Sequence, residues 1–210
     1  MIRRINLPFS KGDLRDLRAG EELFLTGPAF TVRDATCLRL LEEARAQQSL
    51  PYELAGQLLC YIGPTPPAAG RPHGAAGPTT ARRMDRATIE LANYGLAATF
   101  GKGERSEALR QACRERPMIY LVGIGGAAAL AATHITVSEV VAYPELGPEA
   151  LRRIELEGFP VFVAYDTQGG DLYQEGPAAH RAQYLSQRAA GTSAAPALPS
   201  TSKAAERCHV

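Results

Sequence analysis

Residues 118–124, MIYLVGI, form an apolar run with no polar interruption. A strand that is apolar along its whole length is typical of a sheet covered on both faces, because neither side of it can face water. Strand-like patterns recur at 56–64 and 96–100, and helical spacing of apolar residues occurs at 33–47 and 81–94. This alternation predicts an α/β domain with a mixed or parallel sheet.

The same alternation continues after this strand. Residues 138–146 (SEVVAYPEL) and 159–167 (FPVFVAYDT) have the composition of strands. Between them, residues 147–157 (GPEALRRIELE) have the pattern of a helix, with Pro148 suited to its first turn. We therefore predict a strand, a helix and a strand in this order.

The composition of the chain changes near residue 176. Residues 190–210 are rich in Ala, Ser, Pro and Thr and show no apolar periodicity, which is typical of a flexible tail. We predict a single domain over 1–176, room for a short helical extension over 177–189, and a flexible tail over 190–210.

Charge and hydropathy argue against two classes of partner. The 23 basic and 22 acidic residues give a formal net charge of +1, whereas a protein that follows a polyanion carries a marked basic excess. The apolar stretch at 123–132 is too short to cross a bilayer. The first residues also lack the apolar core of a signal peptide. We expect a cytoplasmic protein that binds neither nucleic acid nor membranes.

The spacing of the cysteines gives no metal-binding pattern. Cys37, Cys60, Cys113 and Cys208 are far apart, with no CxxC or CxH pair of the kind that holds zinc or an iron–sulfur cluster. The first three lie in apolar stretches, which favours buried and unreactive thiols. The four histidines show no catalytic pairing with Ser or Cys, and we expect structural or surface roles for them.

Three polar loops, TVRDA, GPTTARRM and GKGERS, occur where strands give way to helices. Open α/β sheets commonly bind ligands at such junctions. The loops contribute Arg33, Asp34, Thr79, Thr80, Arg82, Arg83, Lys102, Arg105 and Ser106. Arginine forks bind planar carboxylates and a helix start offers free N–H groups, so converging loops would suit a small dicarboxylate or a phosphate. The alternative is that these residues are solvated charges and helix caps, with Thr80 as an N-cap.

Capping by Thr80 leaves the neighbouring Thr79 unexplained. A threonine hydroxyl is a poor base unless positive charge and backbone donors stabilise its alkoxide form. Arg83 and the start of the following helix can supply both of these. The sequence therefore permits Thr79 as a base without requiring it.

Seven sequence blocks occur in an order that resembles a known enzyme family. They are LRAGEELFLTG…TVRDA, LPYELAGQLLCYIGPTP, GAAGPTTARRMD, GKGERS, GGAAALAA, VVAYPELGPEA and FPVFVAYDTQGGDLY. Over residues 7–176, the chain resembles the β subunit of two-subunit class I iron–sulfur fumarate hydratases and L-tartrate dehydratases. It also resembles the C-terminal half of the single-chain enzymes. The resemblance implies a three-layer β/β/α swivelling domain with a mixed sheet.

The resemblance also implies a function, that of an iron–sulfur hydro-lyase subunit that hydrates fumarate reversibly to L-malate. The [4Fe–4S] cluster and its cysteines would belong to an α subunit in an α2β2 assembly, so this chain would hold no metal and would be active only with its partner. Thr79 matches the base that takes the carbon-bound proton. Arg33, Arg83 and Lys102 match contacts to the substrate carboxylates, whereas no role is carried over to Arg82.

The chain departs from the family pattern after TVRDA, where Cys37 and Leu38 replace a histidine that is often followed by a basic residue. Cys37 lies one helical turn from Arg33 and can affect the orientation of that arginine. The GKGERS block resembles the fumarate hydratases more than the tartrate dehydratases. The alternatives are an L-tartrate dehydratase β subunit, a catalytically silent structural or regulatory paralogue, and a stand-alone anion-binding domain.

Overall fold

The computed structural model of the chain describes residues 2–46 and 50–189. The strands are β1 Ile2–Asn6, β2 Glu22–Val32, β3 Leu58–Tyr61, β4 Ala98–Gly101, β5 Ile119–Val122, β6 Ile135–Ala142 and β7 Leu151–Tyr165. The α-helices are α1 Lys11–Asp16, α2 Asp34–Arg45, α3 Asp85–Leu91, α4 Glu107–Glu115, α5 Ala128–Thr133 and α6 Leu172–Ala189. Short 3-10 segments occur at Ala81–Met84, Ala92–Tyr94 and Pro144–Glu149. The predicted tail at 190–210 lies outside the described residues.

Two compact units divide the described chain, and the boundary between them falls after Tyr173. The first unit contains all of the strands and the helices from α1 to α5. The second begins at Gln174 and contains the remaining residues of α6, which is helical throughout 177–189. Within the described ranges, no helix combines the length and the apolar character needed to cross a bilayer.

Seven strands of the described chain form one mixed sheet, in the order β1-β2-β3-β4-β5-β7-β6. Neighbours from β1 to β5 are parallel, whereas β7 is antiparallel to β2, β5 and β6. The additional pairing of β2 with β7 closes β2, β3, β4, β5 and β7 into a barrel-like ring. The predicted α/β class and the mixed sheet are confirmed, and the three-layer β/β/α description stays a prediction.

The long strand β7 closes this ring because it reaches three neighbouring strands. Its first half lies between β2 and β6, where Ile154 is opposite both Ala29 and Ser138. Its last part pairs with β5, where Val163 is opposite Leu121. A strand of 15 residues spans both positions, so no further strand is needed between β2 and β5.

The helix predicted over 147–157 is wrong. Residues Pro144–Glu149 form a 3-10 segment, and β7 begins at Leu151. The spacing of Leu151 and Ile154 resembles one face of a helix, but the alternation in IELE that starts at Ile154 is a strand pattern. Pairing with β2 on one side and β6 on the other decides between the two, because a strand's preference depends on its neighbours.

The central strands are buried on both faces of the sheet. In β5, Tyr120 and Val122 belong to a hydrophobic cluster that includes residues of α2, α3 and α4. Ile119 and Leu121 belong to a second cluster, together with residues of the neighbouring strands. All four side chains are buried, which confirms the strand predicted from residues 118–124.

The helix predicted over 33–47 is confirmed as α2, which begins directly after Arg33. Cys37, Leu40, Leu41 and Ala44 are buried along one side of it, as their i, i+3, i+4 spacing predicts. The packing of this side against the sheet fixes the position of the first turn of α2, where the first polar loop ends.

Candidate functional site

Backbone hydrogen bonds hold the Thr79 loop between the ends of two strands. The Thr79 N–H donates to the carbonyl of Tyr61 (2.8 Å), the last residue of β3. On the other side, the Lys102 N–H donates to the Thr79 carbonyl and the Ala81 N–H donates to the Lys102 carbonyl, both across 3.0 Å. Lys102 directly follows β4. The second and third polar loops therefore run side by side.

Close packing at Gly101 sets the separation between these two loops. A Cβ atom at this position would lie 2.8 Å from Ala81 Cβ and 3.3 Å from the carbonyl oxygen of Thr79. Two carbon atoms attract each other best at about 3.5–4.0 Å, so the first of these distances is a clash. Any side chain at residue 101 would push the Thr79 loop outwards.

Ion pairs hold the two predicted substrate-binding arginines. Arg83 Nη2 donates to Asp34 Oδ2 (3.0 Å), which joins the second loop to the first. Arg33 Nε lies 3.7 Å from Glu149 Oε1. A guanidinium group has five N–H donors, so one carboxylate does not use its full capacity. Both arginines are at least partly exposed and have donors left for a further anion.

Thr79 and Thr80 have different surroundings. Thr79 Oγ1 is buried and has no hydrogen-bond partner among the residues that the structure describes. Thr80 is exposed and occupies the predicted N-cap position before Ala81–Met84, but its side chain makes no capping hydrogen bond. A buried hydroxyl without a partner is unfavourable. Thr79, not Thr80, is therefore the residue with an unused hydrogen-bonding group.

The predicted site residues lie in the three polar loops. Arg33 ends the first loop, Thr79 and Arg83 lie in the second, and Lys102 is an exposed residue in the third. Contacts between neighbouring loops join all three, and the anion site expected at these loops stays a prediction. Arg82 is also exposed, and nothing in its surroundings assigns it a role.

Arg105 was also expected among the anion-binding groups of the third loop, and this expectation is wrong. Its side chain is fully buried. Its Nε donates to Asp85 Oδ1 (2.5 Å), its Nη1 to Thr99 Oγ1 (3.2 Å) and its Nη2 to Thr88 Oγ1 (3.1 Å). All three guanidinium nitrogens are therefore occupied inside the protein.

Aromatic rings complete the surroundings of Arg105. Its guanidinium carbon lies 5.4 Å from the ring centre of Tyr61 and 4.8 Å from that of Tyr120, within the range of cation–π attraction. Burial lowers the pKa of Arg105, but Tyr61 and Asp85 outweigh this effect and the pKa is raised. Asp85 also accepts the Ser106 N–H (2.7 Å) at the start of α4. Arg105 and Asp85 together thus join α3, β4 and the start of α4.

Cys37 lines a cavity beside the Arg83–Asp34 ion pair. The cavity has a volume of about 230 Å³, and Leu38 is also part of its wall. Cys37 is only 2% exposed. Burial, with a smaller contribution from Asp34, raises the pKa of its thiol to about 12. The thiol is therefore neutral at physiological pH and adds no charge to the site.

The three cysteines that the structure describes do not form a metal site. Cys37 and Cys113 are buried in one hydrophobic cluster and Cys60 in the other, all as free thiols. Across the two described ranges, no group of three or more His, Cys, Asp or Glu side chains could hold a metal ion. An iron–sulfur cluster needs several thiolates around one point. The described residues therefore do not fit such a cluster.

Comparison with known proteins defines the family to which this fold and this set of loops belong. The family profile described as Fumarase C-terminus matches residues 2–176. The chain belongs to this family.

Two groups of relatives match the chain. The anaerobic class I fumarate hydratase of Escherichia coli (strain K12) is 41% identical over 155 residues, which are 73% of this chain and 28% of that enzyme. The L(+)-tartrate dehydratase subunit beta of the same strain is 32% identical over 180 residues, 83% of this chain and 88% of that subunit. A putative subunit of this kind from Methanocaldococcus jannaschii is 32% identical over 174 residues and is covered to 88%.

The two groups differ in how much of each relative the chain covers. It spans 28% of the E. coli fumarate hydratase but nearly the whole of the tartrate dehydratase beta subunits. Hydratases and dehydratases add or remove water, so the relatives are hydro-lyases by name.

Proposed function

We propose that the chain is the β subunit of a hydro-lyase that interconverts fumarate and L-malate together with an α subunit. Relatives that are named beta subunits match the chain over 88% of their length, which supports a separate partner chain. In this proposal the α subunit holds a [4Fe–4S] cluster, because the described residues of this chain do not fit one. Two copies of each subunit would form the complex.

The observation that carries the proposal is the position of Thr79. Its Oγ1 is buried without a partner in the described chain, in a loop that Tyr61 and Lys102 hold from both sides. Arg83 lies four residues further along the same loop, and its ion pair with Asp34 fixes it there. A hydroxyl base needs a fixed position and nearby positive charge, and the loop offers both.

The chemistry proposed for this chain is proton transfer at carbon. In the direction from L-malate to fumarate, the alkoxide form of Thr79 Oγ1 takes the proton from the carbon next to a carboxylate, and the neighbouring carbon loses its hydroxyl group as hydroxide. In the hydration direction, Thr79 returns the proton to the carbon from which it was taken. The loss of this proton adds charge to an existing anion, which makes the proton weakly acidic. Arg33, Arg83 and Lys102 would bind the carboxylates and stabilise the charge where it develops.

L-tartrate is a second candidate substrate, and the comparisons support both. The higher identity is to a fumarate hydratase (41%), whereas the better match in length is to tartrate dehydratase beta subunits (88%). L-malate and L-tartrate have the same two carboxylates, and L-tartrate carries one hydroxyl group more. The roles proposed for Thr79, Arg33, Arg83 and Lys102 are therefore the same for either acid.

The experiment that tests the proposal is anaerobic co-expression of this chain with an α-type chain, one homologous to the remainder of the fumarate hydratases. The purified complex is assayed for fumarate hydration and L-tartrate dehydration, with each chain alone as a control. We expect activity only from the complex, with fumarate as the better substrate. If the complex converts only L-tartrate, L-tartrate is the substrate and the roles proposed for the four residues stay the same.

The same preparation separates an enzyme from a silent paralogue. Iron content and the visible absorption of the complex report whether its cluster is intact. If the chains associate and the cluster is intact but neither acid is converted, the enzymatic proposal is overturned and a structural or regulatory role is favoured. If this chain never associates with an α-type chain, the subunit proposal itself fails.

A further inference from the structure

A second cavity has walls that include neither Thr79 nor any of the three cations proposed to bind the substrate. Its volume is about 180 Å³, room for roughly six water molecules in the liquid. Five prolines form its apolar walls, namely Pro64, Pro66, Pro67, Pro72 and Pro148. Its polar side chains are those of Thr65, His73, Ser138 and Arg152, and no acidic residue is among those that line it.

Three polar atoms of this cavity lack a hydrogen-bond partner within the described chain. They are His73 Nε2, Ser138 Oγ and Arg152 Nε, all of them buried. His73 as a whole is only 5% exposed. Buried polar groups in folded proteins are nearly always satisfied, by protein, water or ligand. Three such atoms around one cavity are therefore free to bind a small polar molecule.

The sheet places two of these side chains on one face. Ser138 of β6 is opposite Ile154 of β7, and Val140 is opposite Arg152. Ser138 and Arg152 are therefore diagonal neighbours across the strand pair, about 7–8 Å apart, on the same face. A small ligand can contact both at once.

The loop that carries His73 is fixed at its base. The Ala75 N–H donates to Thr65 Oγ1 (2.9 Å), and a Cβ atom at Gly74 would overlap the carbonyl group of Thr65. The His73 ring is held as well, because its Nδ1 lies 2.7 Å from the carbonyl oxygen of Gly74. The cavity wall is thus a built structure rather than a loose loop.

The tautomer of His73 defines what a ligand must offer. A carbonyl oxygen can only accept, so Nδ1 carries the proton and Nε2 of the neutral ring is an acceptor. Burial lowers the pKa of His73, and the charge of Arg152 lowers it further, so the ring is neutral at physiological pH. A ligand here must donate a hydrogen bond to Nε2.

Arg152 favours a ligand that also carries a negative charge. Among the described residues, no carboxylate lies within ion-pair distance of it, although Arg33 and Arg153 both have acidic partners. Guanidinium groups bind planar carboxylates well. Ser138 can donate or accept and suits either end of a ligand.

We propose that this cavity is a binding site for a small hydroxycarboxylate. Its carboxylate pairs with Arg152, its hydroxyl donates to His73 Nε2, and its carbon atoms contact the proline walls. Carboxylates without a hydroxyl satisfy Arg152 but leave His73 Nε2 without a donor. The site is therefore selective for hydroxy acids over the corresponding simple acids. It does not depend on the activity proposed for the Thr79 loop.

The test is an NMR titration of the isotope-labelled full chain with L-lactate and, separately, with propionate, which lacks only the hydroxyl. Shifts are followed at the Arg152 Nε–H and at the backbone amides of Gly74 and Ser138. We expect saturable shifts with L-lactate and about fivefold weaker binding of propionate, the effect of one hydrogen bond. The amides of Thr80 and Lys102 report separately on the other site.

Matched variants assign the binding to the cavity. Arg152→Gln should weaken L-lactate binding at least about tenfold, because a charged hydrogen bond is lost. Arg153→Gln removes the same charge at the next residue, whose partner is Glu155, and should leave the affinity unchanged. Ser138→Ala, a small truncation that the fold should tolerate, should weaken binding measurably.

Three results would overturn the proposal. These are shifts that rise linearly with either acid, equal affinities for L-lactate and propionate, and equal effects of Arg152→Gln and Arg153→Gln. A further contrary result would be that an α-type chain, and not the acid, shifts the amides of Gly74 and Ser138. The three polar atoms without a hydrogen-bond partner would then belong to a protein interface.

Discussion

The guanidinium group of Arg33 lies directly over Gly63. A Cβ atom at residue 63 would stand 2.6 Å from Arg33 Cδ and 2.7 Å from Nη1. These atoms belong to the far end of a flexible side chain, so a methyl group would displace the arginine and not the backbone. Gly63 thus determines where the guanidinium group of Arg33 lies, although it has no side chain of its own.

Gly63→Ala should therefore affect substrate binding more than stability. We expect KM for the dicarboxylate to rise about tenfold, the effect of a lost charged hydrogen bond. The free energy of unfolding should change by less than about 1 kcal/mol, since only a side chain moves. Steady-state kinetics of the complex and urea unfolding of the chain measure the two effects. Gly125→Ala is the control, because a Cβ atom there meets nothing within 4 Å.

Thr79→Ala should lower kcat of the complex at least about a hundredfold and leave KM nearly unchanged, as for the loss of a general base. Arg83→Ala should lower kcat and raise KM together, because the arginine is proposed to contact the carboxylate throughout the reaction. Thr80→Ala is the control, since Thr80 is exposed and makes no capping hydrogen bond. Equal losses in the two threonine variants would remove Thr79 from the role of base.

Arg105→Ala should destabilise the chain severely. It leaves Asp85, whose side chain is only 11% exposed, without its charged partner. Breaking one side of a buried ion pair typically costs about 3–5 kcal/mol. Urea unfolding measures this loss, and Arg105→Lys should recover only part of it because lysine cannot make the same three contacts.

An exposed arginine provides the comparison for this variant. Arg86 is 82% exposed and lies 3.8 Å from Glu90. Arg86→Ala should therefore change the free energy of unfolding by no more than about 0.5 kcal/mol. A loss below about 1 kcal/mol for Arg105→Ala would contradict the structural role assigned to Arg105.

The buried thiols should make the stability of the chain depend on pH in the alkaline range. Burial raises the pKa of both Cys37 and Cys113 from 9.0 to about 12. Because the fold favours the protonated thiol, this contribution is fully present below pH 9 and is lost as the pH rises towards 12. Urea unfolding between these limits should show the decline.

Thiol alkylation gives an independent measure of the same burial. At pH 8, iodoacetamide should not modify Cys37, Cys60 or Cys113 in the folded chain, because only the thiolate reacts. Mass spectrometry of the digested protein locates the label, and alkylation in urea should modify all three. Rapid labelling of Cys37 in the folded chain would show that its cavity admits solvent.

Local patterns in the sequence predicted the elements whose burial is decided within a few residues. The apolar run at 118–124 predicted β5, and the spacing of Cys37, Leu40, Leu41 and Ala44 predicted α2. The positions of the polar loops at strand-to-helix junctions also indicated that they could converge, and backbone hydrogen bonds join the second loop to the third at Thr79 and Lys102.

Errors arose where partners distant in sequence decide the structure. Residues 147–157 have acceptable spacing for either a helix or a strand, and only β2 and β6 on their two sides fix the strand. Arg105 stands in a polar loop, so its burial depends on Asp85, Thr88 and Thr99 from two other elements. No pattern within GKGERS distinguishes it from the exposed Lys102.

The closure of the ring by β7 has a consequence for synthesis on the ribosome. Glu22 of β2 pairs with Phe162 of β7. The pairing of this early strand is therefore incomplete until β7, the last strand, has been synthesised. Until β7 emerges, β2 and β5 each expose an unpaired edge, and such edges promote aggregation. A nascent chain stopped before Leu151 would need protection by a chaperone, and truncation there should yield insoluble protein instead of a smaller domain.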